Sequence, residues 1–419
     1  MNKRIAMPAK HLPVFLRILS LSIPLGAMHA VAGPNIQLPR TGISADELAL
    51  LINDDDPLSR ETGTYYQRMR QLPEQNLIRL RFPAGKTTLS PQEFEPLKAE
   101  IDRLTPRHIQ AYAAAWTQPY QVGCMSMTSA LAFGYDEKYC STKCGPSSVS
   151  RYFDTASTYP FNDFQIRPAM MLAGQNFADV KALIDRGVEA DQSFPDGTGY
   201  LLNTSDKTRS VRAKLFGMTK SVVGAMFPIE EIEADSITGR QDVLFYFTGL
   251  AQVPNLGTLK FMPGALADHL TSFGGQLTDS KQMSSLRWLE AGATASYGTV
   301  TEPCNHLQKF PMPAVAMFHY LSGATAIEAY WKSVAWPGEG LFIGEPLARP
   351  FAPTLTKAGD EIFRFKLISP KKAVWRVEQA DSVMGPFQPT TRGLPVVAGR
   401  NSVRITVPPS AKAYLRLVR

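Results

Sequence analysis

Two apolar runs of strand length in the second half of the chain decide the fold. The first is DVLFYFT (242–248), and the second is ATASYGTV (293–300), which leads directly into TEPC (301–304). Between them, the spacing of apolar residues predicts helices over 264–273 and 284–291. Strands that alternate with helices at this spacing favour parallel βαβ units in an open sheet.

The same alternation extends towards the N-terminus. The segment SPQE (90–93) places an N-cap Ser before Pro and a Glu at the third helical position, which is a helix-start signature. The further predicted strands are 47–53, 77–82, 109–116, 169–173 and 199–204, and the further predicted helices include 177–187 and 208–217. The pattern therefore predicts an α/β fold with a doubly wound, mostly parallel sheet. No internal repeat is evident.

Two segments depart from this alternation. Residues 124–164 are rich in Ser, Thr, Tyr and Gly and contain three of the four cysteines, so we interpret them as an insertion in an α/β domain spanning 33–353. After Pro353, apolar and polar residues alternate with a period of two, which is typical of antiparallel strands. We expect residues 354–419 to form an immunoglobulin-like or fibronectin-like β-sandwich.

The N-terminal residues have the composition of an export signal. Basic residues precede an apolar core from Ile18 to Met28, and Ala30-Val31-Ala32 provides a small-residue cleavage site. The core is about half of the roughly 20 residues that a membrane span needs. We expect residues 1–32 to be a signal peptide, and the protein to be periplasmic or extracellular with no transmembrane anchor after cleavage.

Charge argues against a nucleic-acid partner. The full chain has a formal charge of +7, and four of its cations but no anion lie in the predicted signal, which leaves +3 after cleavage. The remaining Lys and Arg residues are interspersed with acids and form no basic stripe that would follow a phosphate backbone.

The four cysteines, Cys124, Cys140, Cys144 and Cys304, all follow the predicted signal. An even number of cysteines in an exported chain predicts disulfides. Cys140 and Cys144 are close enough to close a small loop, which would leave Cys124 with Cys304, but other pairings stay open. A zinc site is the weaker alternative because His306 is the sole nearby candidate for a further ligand. We expect no metal and no cofactor.

Several short segments together resemble an uncharacterised exported bacterial family whose members occur in species that carry the exosortase protein-sorting system. The resemblance covers about residues 45–352. It rests on Asn53–Ser59, Tyr65-Tyr66 with Arg70 and Leu72-Pro73, Tyr200–Asp206, Pro263-Gly264-Ala265 with His269-Leu270, Gly292–Ala295, Glu302-Pro303, and Gly344–Leu347.

The order of elements is also distantly similar to gingipain-type peptidases of the caspase clan. In those enzymes a His-Gly pair and a Cys lie at the ends of neighbouring parallel strands. Tyr246 takes the place of that Cys, and no His lies between His108 and His269. The resemblance thus implies a caspase-like fold without the peptidase Cys-His pair.

Two pairs of residues are candidates for catalysis. Cys304 and His306 would form a thiolate pair, although a disulfide at Cys304 is the stronger expectation. His269 and Glu302 would act as an acid and a base in one crevice, whereas a helical His is more often a hydrogen-bonded core residue. The acidic run at 54–56 offers oxygen ligands for a cation, but capping of the next helix needs fewer assumptions.

These observations favour an exported accessory or binding protein of the cell envelope. Its expected partner is an unknown envelope protein or a polysaccharide, and family context links it to protein sorting or exopolysaccharide. The alternative is a hydrolase that uses Cys304 with His306, or His269 with Glu302.

Overall fold

The computed structural model describes residues 35–141, 144–359, 361–390, 393–407, 412 and 414–419. The predicted signal peptide, residues 1–32, lies outside the described residues. The strands are β1 (Asn35–Gln37), β2 (Leu48–Asn53), β3 (Leu77–Leu80), β4 (Thr88–Leu89), β5 (Ala111–Ala114), β6 (Gln121–Val122), β7 (Met125–Ser126), β8 (Ala169–Met171), β9 (Thr198–Asn203), β10 (Ile229–Glu233), β11 (Val243–Thr248), β12 (Phe261–His269), β13 (Ala295–Thr299), β14 (Gly340–Gly344), β15 (Thr354–Lys357), β16 (Ile362–Ser369), β17 (Ala373–Ala380), β18 (Gln388–Pro389), β19 (Leu394–Val396), β20 (Gly399–Thr406) and β21 (Tyr414–Val418). The α-helices are α1 (Pro57–Arg70), α2 (Pro91–Leu104), α3 (Met127–Phe133), α4 (Pro160–Phe164), α5 (Phe177–Ala190), α6 (Phe216–Val223), α7 (Leu286–Glu290), α8 (Pro313–Leu321) and α9 (Ala326–Ser333).

The central element is a ten-stranded sheet in the order β10-β9-β11-β12-β13-β14-β8-β5-β2-β3. Neighbouring strands are parallel within the group β10, β9, β11, β12 and β13 and within the group β8, β5, β2 and β3, and β14 lies between the groups and pairs antiparallel with β13. Both groups run the same way, because Arg70 at the end of α1 contacts both Asp191 at the end of α5 and Glu345, which lies beside the start of β13. We call the group from β10 to β13 the second half of the sheet and the group from β8 to β3 the first half.

The two halves have the same topology. In the first half, β2 comes first along the chain, β3 pairs on its outer side, and β5 and then β8 follow on its inner side. In the second half, β9, β10, β11 and β12 take the same places. The halves also share a local pattern, because Leu51-Ile52-Asn53 with Asp56 corresponds to Leu201-Leu202-Asn203 with Asp206. The structure thus contains an internal repeat that the sequence analysis missed.

Helices pack on both faces of the sheet because strand side chains alternate between two hydrophobic clusters. From β2, Leu50 and Ile52 join a cluster that includes Tyr66 of α1 and Ile184 of α5. Leu51 of the same strand joins a second cluster with residues of α2. The capping box predicted at Ser90 is present at the start of α2.

The helix predicted over Gly264–Phe273 is wrong, since most of this segment belongs to strand β12. Its Leu266 to His269 portion pairs in parallel register with β11 and is completely buried. A short, continuous apolar run is compatible with a buried helix or a buried strand, and periodicity alone cannot distinguish them. Gly264 has a φ of 90°, a left-handed conformation that favours glycine and ends a helix.

The C-terminal residues form two further sheets around one hydrophobic cluster. One sheet has the order β15-β16-β20, and the other contains β1, β21, β17, β18 and β19. Phe365, Val377, Ile405 and Leu415 from both sheets meet in this cluster. Strand β1 pairs parallel with β21, so residues near the start of the described chain complete the C-terminal sheet.

A buried ionic network connects α1, α5 and β14. The carboxylate of Glu345, which follows β14 and is inaccessible to solvent, forms an ion pair with Arg70. It also accepts a hydrogen bond from the Tyr66 hydroxyl at 2.6 Å. Arg70 makes a second ion pair with Asp191, just after α5. Burial raises the pKa of Tyr66 and, opposed by Arg70, that of Asp191, so the network holds one neutral hydroxyl among its charges.

We predict that Arg70→Met lowers the free energy of unfolding by about 3–5 kcal/mol, because it leaves the Glu345 carboxylate buried without its counterion. Chemical denaturation of the whole chain measures the change. Arg68→Met is the matched control, since Arg68 is exposed on the same helix, and we expect it to stay within about 1 kcal/mol. Equal losses for both variants would contradict this role for the network.

Candidate functional site

The strands of the two halves run the same way, so their carboxyl ends lie at the same edge of the sheet, where the Thr301 hydroxyl after β13 donates to the Cys124 carbonyl after β5. In open α/β sheets, ligands bind in the crevice outside the carboxyl ends of the strands, where the strand order reverses. The structure has a crevice of this kind beyond the strand ends of each half. We call them the first-half crevice and the second-half crevice.

The first-half crevice has a volume of about 440 Å³. It lies beyond the ends of β2, β3, β5 and β8, and part of the loop after β12 closes one side. Its lining residues are Asp56, Leu58, Ala84, Gly85, Thr117, Gln118, Gly174, Gln175, Leu277 and Thr278.

Hydrogen bonds within the protein fix the walls of this crevice. The Thr117 hydroxyl donates to the Gly174 carbonyl at 2.6 Å, which joins the loops after β5 and β8. The Gln118 amide donates to the Thr278 hydroxyl at 2.6 Å. Because Thr278 follows β12, this bond joins loops of the two halves at their shared edge.

The acidic run beside this crevice has structural partners. Asp56 caps α1 by accepting a hydrogen bond from the Leu58 N–H at 2.9 Å. Asp54 and Asp55 form ion pairs with Arg79 and Arg81. Within the part of the chain that the structure describes, no group of three or more His, Cys, Asp or Glu residues is arranged to hold a metal ion. Helix capping, the simpler of the two interpretations, accounts for Asp56.

The second-half crevice is smaller, at about 250 Å³, and contains a disulfide. It lies beyond the ends of β12 and β13. Arg209 lines it and is held on two sides, by an ion pair with Asp206 at 2.7 Å and a hydrogen bond to the Thr271 hydroxyl at 3.1 Å. Glu302, Cys304 and the loop around them form the opposite wall.

Both disulfides differ from the pairing that the short Cys140–Cys144 spacing favours. Cys124 pairs with Cys140, and Cys144 pairs with Cys304 across 160 residues of sequence. The chain at Cys144 therefore lies beyond the carboxyl end of β13 and is covalently fixed there. While this bond is intact, Cys304 has no thiol and cannot act as a nucleophile or a thiolate ligand.

Glu302 and His306 bond to the backbone around this disulfide. An oxygen of Glu302 accepts a hydrogen bond from the Cys304 N–H at 2.9 Å. The Nε2 of His306 donates to the Cys144 carbonyl at 2.8 Å. The structure thus brings Glu302, Cys304 and His306 together, but their observed bonds orient the loop and pair no imidazole with a sulfur.

His269 lies at the end of strand β12 and not on a helix, and it is almost completely buried. Its Nδ1 accepts a hydrogen bond from the Trp288 indole N–H at 2.8 Å, so the proton is on Nε2, which donates to the Met283 carbonyl at 3.0 Å. Burial lowers its pKa to about 3. Both nitrogens are occupied, and His269 is not among the residues that line the crevice with Glu302.

A buried ion pair beneath this crevice was missed by the sequence analysis. Asp268 lies 2.5 Å from Arg212, and both are almost inaccessible to solvent. Arg212 also donates to the Thr248 carbonyl at 2.5 Å, which ties the loop after β9 to the end of β11. Burial raises the pKa of Asp268 to about 6 against the opposing effect of Arg212. The sequence indicates this pair only through Asp268, which lies in an otherwise apolar run, because a buried carboxylate needs a cationic partner.

The aromatic residues Tyr330 and Trp331 of α9 are core residues. Trp331 and Tyr330 are inaccessible to solvent, and Trp331 stacks on Phe342 with ring centroids 4.5 Å apart. They belong to the core beneath β14.

Comparisons with known proteins assign no family to the chain. No family model and no curated protein matches it. One solved structure to which it is similar, described as "Structure of Protease", has 10% sequence identity and a TM-score of 0.41, over 90% of this chain and 96% of that one. A likeness this distant indicates no activity. Among the described residues, no helix is both long and apolar enough to cross a membrane.

We predict that His269 stays neutral, with its proton on Nε2, from pH 8 down to about pH 4, because burial disfavours the imidazolium and Trp288 occupies Nδ1. The ¹H–¹⁵N spectrum of the side chain measures both the tautomer and the titration, with His269→Gln to assign the signal. The same histidine in the urea-unfolded chain is the control and titrates near its usual value of about 6.5.

The sign of the pH dependence follows from the lowered pKa. Between about pH 6.5 and pH 3, the unfolded chain binds a proton at His269 that the folded chain does not. The contribution of this group to stability is therefore present above pH 6.5 and is lost as the pH falls. A folded-state titration near pH 6.5 would contradict the buried, doubly bonded imidazole.

Proposed function

We propose that the protein is an exported accessory protein of the cell envelope that binds a neutral saccharide unit of an envelope polysaccharide in the first-half crevice. The observation that carries this proposal is the chemistry of the lining. Hydroxyl and amide groups of Thr117, Gln118, Gln175 and Thr278 surround a space of about 440 Å³, with Asp56 as the one charged side chain among the lining residues.

This lining suits sugar hydroxyls better than charged ligands. Hydroxyl and carboxamide groups both donate and accept hydrogen bonds, as sugar hydroxyls do. The lining residues include no Lys or Arg, which are the usual partners of phosphates and carboxylates. Leu58 and Leu277 add apolar surface for the C–H faces of a sugar ring. The volume is within the usual range for small-molecule sites.

The crevice is also formed before any ligand arrives. The Thr117–Gly174 and Gln118–Thr278 hydrogen bonds fix its walls within the protein itself. Little conformational entropy is then lost when a ligand binds, and this favours binding.

Export is supported by the predicted signal peptide and by two disulfides, which persist in oxidising compartments. The caspase-like assignment of the doubly wound domain, the immunoglobulin-like assignment of the C-terminal sheets, and the link to sorting or exopolysaccharide extend the proposal by resemblance.

The alternative function is a hydrolase built on Cys304 with His306, or on His269 with Glu302. The first pair needs reduction of the Cys144–Cys304 disulfide, and the second needs an imidazole released from Trp288 and Met283. These conditions make binding the better-supported function.

We predict that a neutral oligosaccharide binds the full chain and that Ala84→Phe weakens this binding at least tenfold, because Ala84 is exposed at the crevice and a phenyl ring there fills it. Gln118→Ala should weaken it about three- to tenfold by removing one hydrogen-bonding group. A glycan array identifies the ligand, and isothermal titration calorimetry measures the affinities.

The matched controls are Ala358→Phe and Gln92→Ala, which change the same residue types at exposed positions outside the crevice. Unchanged affinity in Ala84→Phe would place any binding elsewhere and overturn the proposal. Turnover of a peptide or glycan that requires reducing agent and is lost in Cys304→Ala would support the hydrolase instead.

A further inference from the structure

A third cavity lies between the α/β domain and the C-terminal sheets, and we call it the C-terminal cleft. Its volume is about 340 Å³. Residues 39–41 and helices α8 and α9 form one wall, and β16, β17 and the last residue form the other. The lining includes Phe318 and Lys332 from the first wall, and Leu367, Ile368, Trp375 and Arg419 from the second.

The charged side chains in this lining are all basic. Arg40, Lys332 and Arg419 line the cleft, and none of the described lining residues is Asp or Glu. Arg40 already has protein partners, because it pairs with Glu47 and donates to Thr158. Arg419 is exposed and makes no ion pair with any described residue.

Lys332 is the unusual group, because it is only 2% exposed. Its ammonium makes no hydrogen bond or ion pair with the described residues, and its recorded contact is with the ring of Tyr152, 5.2 Å from the centroid. Burial lowers its pKa, and the negative charges of Glu328 and Asp154 oppose this shift. Buried charges in proteins are normally both paired and hydrogen-bonded, so an ammonium with no direct bond to an acid leaves a place for a bound anion.

The nearest carboxylates attract the ammonium but make no direct bond to it. Glu328 is inaccessible to solvent; its Oε2 accepts from the backbone of Ile43 and from the backbone and hydroxyl of Thr325, and its Oε1 accepts from the Tyr152 hydroxyl at 3.4 Å. Asp154 accepts a hydrogen bond from His319 at 3.0 Å. Neither acid is among the residues that line the cleft.

The second wall adds another donor without a partner. The indole Nε1 of Trp375 is buried and donates to no described group. The surface around it is apolar, from Leu367, Ile368 and Phe318. The cleft thus combines unpaired donors with apolar walls, which together match a molecule that has an anionic head and an apolar tail.

We propose that the C-terminal cleft binds a hydrophobic monocarboxylate, with the carboxylate on Lys332 and the apolar tail against Leu367 and Phe318. The Arg419 side chain lines the same cleft. A carboxylate there supplies the directly bonded counterion that Lys332 lacks, and charge-assisted hydrogen bonds are among the stronger polar contacts. This site is separate from both sheet-edge crevices.

Calorimetric titration of the full chain with octanoate and with octanamide tests the charge requirement, because the two probes have the same tail. We expect saturable 1:1 binding of octanoate and at least tenfold weaker binding of octanamide. Lys332→Met should weaken octanoate binding at least tenfold, whereas Lys220→Met, at an exposed position on α6, should leave it unchanged.

Trp375→Phe keeps the experiment decisive if Lys332→Met fails to fold, since it removes the second donor and keeps an aromatic ring. We expect it to weaken octanoate binding about threefold or more. Equal affinities for octanoate and octanamide, no octanoate binding up to millimolar concentration, or unchanged affinity in the folded Lys332→Met variant would each overturn the proposal.

Discussion

The buried ion pair between Arg70 and Glu345 is the constraint on which the α/β domain depends. Glu345 follows β14, the strand that closes the sheet between its two halves, whereas Arg70 ends α1 in the first half. A desolvated charge pair is tolerable only when every partner is in place. Gly187 of α5 leaves the necessary space, since a Cβ there would meet the Glu345 side chain. Helices α1 and α5 and strand β14 must therefore come together as one unit.

The position of β14 decides where chemistry and binding can occur. It lies between the two halves and pairs antiparallel with β13, and the loops after β5 and β13 meet at the edge formed by the carboxyl ends of the strands. The first half keeps an open crevice there with hydroxyl and amide groups. Beside it, the Cys144–Cys304 disulfide lines the second-half crevice. The same fold thus produces one site suited to binding and one whose sulfur is already bonded.

Local signals in the sequence predict local structure well and long-range pairing poorly. The apolar runs at β2 and β11 and the capping box at Ser90 are visible because each is set by residues within a few positions. Strand β12 was assigned as a helix because burial on both faces removes the alternation that marks a strand. The disulfide partner of Cys304 and the Trp288 bond of His269 depend on contacts across folded loops, which no local pattern contains.

The central claim is that the Cys144–Cys304 disulfide in the second-half crevice removes the thiol that a cysteine hydrolase would need. The most direct test is non-reducing peptide mapping of protein purified from an oxidising compartment, with thiol alkylation before digestion. The account predicts a Cys144–Cys304 cross-linked peptide, a Cys124–Cys140 pair and no alkylated cysteine. Rapid alkylation of Cys304 near neutral pH, with the other cysteines protected, would contradict the account and restore the cysteine hydrolase.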